Sequence, residues 1–158
     1  MDIMTEMDKA KQFALAMLKC KEDFVGTACI PESNMIAPLV FSNEEDKQGQ
    51  LIMLGKIVKE KNASGCITIL DSWYSKDDDN ILPLEKPMDD RLSAISIMWH
   101  DLKNNGLNNK MLMIKYNAKK EILGEEVCIH MTGNANEYIK CGYNLQFKLK
   151  KSKGTIEL

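Results

Sequence analysis

Arg91 is the only arginine in a chain whose positive charge is otherwise carried by lysine, and it stands in Pro87-Met88-Asp89-Asp90-Arg91, downstream of Asp71-Ser72-Trp73. A guanidinium offers a planar fork of donors that grips a carboxylate through two parallel hydrogen bonds, which an ammonium group cannot do. In an extended strand alternate residues share a face, so Asp71 and Trp73 point one way, and Arg91, Ser93, Ile95, Ile97 and Trp99 line one face of a later strand. An Asp71 to Arg91 ion pair covered by a tryptophan is therefore expected. The same three residues, Asp71, Trp73 and Arg91, are the candidate binding residues for an anionic or planar ligand. General acid–base chemistry needs a carboxyl group with a raised pKa, whereas pairing with Arg91 would lower that of Asp71. No catalytic residue is assigned on this reading.

The remaining chemically capable residues form weaker patterns. Cys128-Ile129-His130 with Cys141 falls short of a zinc site, which takes four ligands with a closely spaced pair, and Cys128 with His130 lacks an orienting group for nucleophilic work. The run Asp77 to Asn80 lacks the interleaving, glycine and terminal glutamate of a calcium loop. No phosphate-cradling glycine loop, dinucleotide fingerprint, nucleophile elbow or HExxH helix is present, so neither metal nor cofactor is implied. His100 beside Asp101 is expected at a solvated hairpin mouth. Lys148, Lys150, Lys151 and Lys153 form a basic end, and weak nucleic-acid binding there is the last of three functional readings.

These residues need a scaffold. Thr5 and Asp8 with Ala10, Phe13, Ala14, Met17 and Leu18 at helical spacing predict a helix over 6–22. Gly26 and Pro31 read as a loop. A strand over 35–41 has Pro38, which lacks a backbone donor and so belongs on an edge or at the strand's start. Ser42 or Asn43 caps a second helix with Leu51, Leu54, Ile57 and Val58 inward, and Gly55 within it weakens the helix unless close packing requires the missing side chain. A strand over 66–73 follows, and the strands on either side of this helix are expected to run parallel. Segment 74–90 reads as a long polar connection. Strands over 92–100 and 110–117 flank a hairpin loop, 127–131 reads as a further strand, and Gly124-Glu125-Glu126 as a turn. Tyr143, Leu145, Phe147 and Leu149 alternate with polar residues, predicting a final antiparallel strand. The fold class expected is α+β, a mixed, largely antiparallel sheet of five or six strands with two main helices covering one face.

At 158 residues the chain suits a single α+β domain, with 1–5 and 151–158 expected to be poorly ordered. A hydrophobic share of 44% and a net charge of -2 place it among ordinary globular proteins with no general pull toward nucleic acid or anionic membrane. The first residues carry no secretory signal and no long apolar run occurs, so a cytoplasmic location with five reduced, mostly buried thiols is expected. The order helix, strand, acidic-x-Trp, polar loop and Pro-x-x-Asp-Arg over residues 47–100 resembles a group of short, uncharacterised prokaryotic and phage proteins. In that group the acid is usually glutamate and another acid follows the arginine, where this chain has Asp71 and the neutral Leu92 and Ser93. The resemblance implies a shared α+β fold. The function expected is a non-catalytic binding or accessory module of a prokaryote or mobile element. A small-molecule enzyme using Asp71, Trp73 and Arg91 is the alternative, and an edge strand leaves room for a homodimer.

Overall fold

The computed structural model describes residues 1–20, 23–75, 91–128, 131 and 133–152, and for 73–75, 91–92 and 146–152 the backbone alone. The calcium-like run Asp77 to Asn80, most of the 74–90 connection, His130 and Lys153 lie outside these residues.

Asp2, rather than Thr5, caps the first helix α1 (Ile3–Lys19), its carboxylate accepting the Met4 N–H at 3.1 Å. Such a cap satisfies one of the four donors that a helix start leaves without partners. The segment read as a loop between Gly26 and Pro31 is strand β1 (Gly26–Ile30), followed by a short turn of 3-10 helix at Pro31–Ser33 and strand β2 (Met35–Leu39). Helix α2 (Glu44–Glu60) starts as expected at Asn43, whose Oδ1 accepts the Asp46 N–H at 2.7 Å. Strands β3 (Gly65–Ser75), β4 (Arg91–Asp101), β5 (Lys110–Tyr116) and β6 (Ile122–Cys128) follow, then helix α3 (Ala135–Ser152).

The six strands form one sheet in the order β2-β1-β3-β4-β5-β6, and each neighbouring pair is antiparallel. β2 and β3 point the same way, as the strand-helix-strand reading required, but β1 lies between them. Pro38 sits on an edge strand, where its missing donor costs no ladder bond.

Further expectations fail here: the sheet is antiparallel throughout and not mixed, since the two strands flanking α2 do not pair with each other. Residues 143–149 belong to helix α3 and not to a strand, because Ala135, Ile139 and Tyr143, four apart, form a helical stripe that packs into the core. Gly124-Glu125-Glu126 lies inside β6 and is no turn.

Alternation splits the core in two. Ala28, Ile30, Cys66, Met98 and Met111 face α2 and α3, while Ile67, Ile69, Ile95, Ile97, Trp99 and Ile114 face α1. Two helices thus cover one face, and they are α2 and α3. α1 lies on the opposite face. The α2/α3 contact also decides the role of Gly55: a Cβ there would overlap the Ile139 carbonyl, and one at Gly142 would overlap the Ile52 carbonyl. Both positions must be glycine for the two backbones to touch. Beside the crossing, the Lys59 ammonium lies 4.6 Å from the Tyr143 ring centroid.

Candidate functional site

β3 and β4, the two longest strands, run side by side, and the later part of β3 with the start of β4 holds the sequence-predicted residues. Register sets Asp71 opposite Ile95, Trp73 opposite Ser93 and Arg91 opposite Ser75. Arg91 therefore stands four positions along the ladder from the partner of Asp71, a backbone offset of about 13 Å at the usual rise per residue. Its side chain and that of Trp73 lie outside the described residues. The partner the structure does give Asp71 is Tyr116, whose hydroxyl donates to Asp71 Oδ1 at 2.7 Å across the intervening β4. Ser93, opposite Tyr116 in the β4 to β5 register, also hydrogen-bonds the phenol.

Electrostatics follow from this placement. Although Asp71 is open to solvent on one side, loss of water at the sheet surface raises its carboxyl pKa, while the Tyr116 hydroxyl and the Ser72 N–H pull in the lowering direction. Loss of water is the largest of these influences. Burial, together with the hydrogen bond to Asp71 and its charge, pushes the Tyr116 phenol well up, so it remains a donor. The result is a carboxylate oriented by a phenol on the rim of a rigid sheet, able to accept a hydrogen bond or, by virtue of its raised pKa, to take a proton.

His100 behaves differently from the solvated residue the sequence suggested. It is completely buried between the sheet and α3, with Nδ1 2.8 Å from Asn136 Oδ1 and Nε2 2.7 Å from Thr68 Oγ1. With the amide oxygen as acceptor, Nδ1 carries the proton and Nε2 accepts the Thr68 hydroxyl. Burial lowers its pKa to about 4, against the opposing effect of the hydrogen bond to Asn136, so the ring is neutral. Asp101, equally buried, accepts the Asn104 and Asn108 N–H groups at 3.2 and 3.0 Å and so organises the loop between β4 and β5. The hairpin mouth is thus closed by its own side chains. Nothing in the sequence pattern distinguished His100 from a surface histidine, since its partners come from β3 and α3.

Of the five thiols only Cys66 is buried, with its pKa pushed up by loss of water; Cys20 and Cys141 are exposed, and all five are free. Among the described residues no three His, Cys, Asp or Glu side chains gather as a metal site would require, and no helix is long and apolar enough to cross a membrane. Comparison of the chain with protein-family models, with curated proteins and with solved structures returned no match.

Proposed function

We propose that the chain is a binding or accessory module without catalysis of its own, serving a prokaryote or one of its mobile elements. The observation that supports this reading is the engagement of its chemically capable groups in the fold. Both nitrogens of His100 are bonded inside the core, the Asp101 carboxylate holds a loop, Glu32 accepts the Ser64 N–H across 32 residues, and Asp71 is held by Tyr116. The strand end carrying Asp71, with Trp73 two and Arg91 four positions along the ladder, is the ligand-facing region on this reading. A guanidinium suits an anionic group and an indole a flat ring, while an oriented carboxylate accepts an N–H. A planar anionic molecule bearing an amino group combines these features.

A second reading, a small-molecule enzyme with Asp71 as general base, is favoured by one observation, the raised carboxyl pKa of Asp71. One experiment separates the two. Calorimetric titration with adenosine monophosphate, which has all three features, followed by chromatography of the recovered nucleotide, should give binding that Arg91→Lys abolishes without lowering the melting temperature, and an unaltered nucleotide. A cleaved or modified nucleotide would favour the enzyme. No heat of binding, combined with a markedly lower melting temperature for Arg91→Lys, would make the arginine a structural element and remove the site.

A further inference from the structure

The two edges of the sheet are built differently. On β2, Pro38 removes a donor, a common way of blunting an edge. On β6 there is no proline over seven residues, no described element pairs with its outer side, and Val127, Leu123 and Ile122 are 78%, 58% and 43% exposed. An edge strand with free backbone groups and uncovered apolar side chains is a template for another strand.

We propose that β6 pairs with β6 of a second copy of this chain, antiparallel about a two-fold axis at Glu125, joining two sheets into one. Three features select a second copy as the occupant. About that axis Leu123 of each copy stands opposite Val127 of the other, so the two most exposed apolar side chains of the strand form reciprocal cross-strand pairs, as an isologous interface demands. Leu123 is the extra residue at the β5 to β6 register shift and has no counterpart on β5, so no cross-strand partner on β5 competes for it. The charges are also compatible. Glu126 falls opposite Gly124 of the other copy, where no side chain competes and nothing lies within 4 Å, and it is paired within its own chain to Lys115 at 2.8 Å. The one like-charge meeting, Glu125 with itself at the axis, is flanked by Lys11 of each copy at 2.7 Å, so each carboxylate is already paired with an ammonium group of its own chain.

The pairing also completes a second feature. An apolar groove of about 450 Å³ lies beside α1 with Met4, Met7, Leu112 and Val127 among its walls. Val127 is its outer boundary, and Leu123 of the second copy extends that wall.

Analytical ultracentrifugation of the full chain tests this independently of any ligand. The wild type should sediment at twice the chain mass, and Val127→Lys and Leu123→Lys should each return it to the mass of one chain with unchanged circular dichroism. Ile36→Lys, on the β2 edge, should leave the pair intact. A wild-type monomer, a pair that survives both β6 substitutions, or a pair dissolved by Ile36→Lys would overturn the proposal.

Discussion

Against one face of the sheet α2 and α3 touch backbone to backbone at Gly55 and Gly142, and His100 reaches from β4 through Asn136 into the first turn of α3. Against the other, α1 lies alone over β3 and β4, the Trp99 indole N–H is buried without a partner among the described residues, and the strands carry Asp71, Ser93 and Tyr116. Unpaired buried donors cost about 1–3 kcal/mol, and here the cost falls on the thinly covered face. The difference teaches that similar polar residues do different work according to cover: a histidine sealed beneath two helices becomes a structural bridge, whereas an aspartate at an uncovered strand end keeps contact with solvent.

The largest expected effect breaks the sealed face. Gly142→Ala drives a Cβ into the Ile52 carbonyl, backbone against backbone, and should cost about 3 kcal/mol or more in urea unfolding, at the upper end of overpacking penalties. The next is pH. His100 has a folded pKa of about 4 against 6.5 for the free group, so the unfolded chain binds the additional proton. Stability from this group is present in full above pH 6.5 and is lost as pH falls to about 4, on the order of 3 kcal/mol in all; His100→Gln should flatten that part of the stability profile. On the open face, Tyr116→Phe removes one partly exposed hydrogen bond and should cost about 1 kcal/mol in the same unfolding measurement. The smallest effect has the opposite sign. Gly49 is a helical residue at which an added methyl group would meet nothing within 4 Å, so Gly49→Ala should raise stability by about 0.8 kcal/mol, in contrast to Gly142→Ala.

Legibility in the sequence followed the range of the interactions involved. Asn43 as a cap, Pro38 at an edge and the strands on either side of the 101–109 loop depend on local chemistry, and the structure has them as expected. β1 was hidden because five residues between Gly26 and Pro31 look like punctuation when the pairing strands on both sides are out of view. In α3 the two-residue alternation of Tyr143, Leu145, Phe147 and Leu149 masked the four-residue spacing of Ala135, Ile139 and Tyr143. The Asp71 partner was illegible for a similar reason. Tyr116 is 45 residues away and reaches it only through the register of β3, β4 and β5.

At the thinly covered strand end, Asp71 is oriented by a neutral phenol. Carbon-detected NMR titration of the Asp71 carboxyl in the wild type and in Tyr116→Phe measures this directly. The midpoint should lie above that of an ordinary aspartate and rise further when the phenol hydrogen bond is removed. A midpoint at or below the ordinary value, unmoved by Tyr116→Phe and raised by Arg91→Lys, would contradict it.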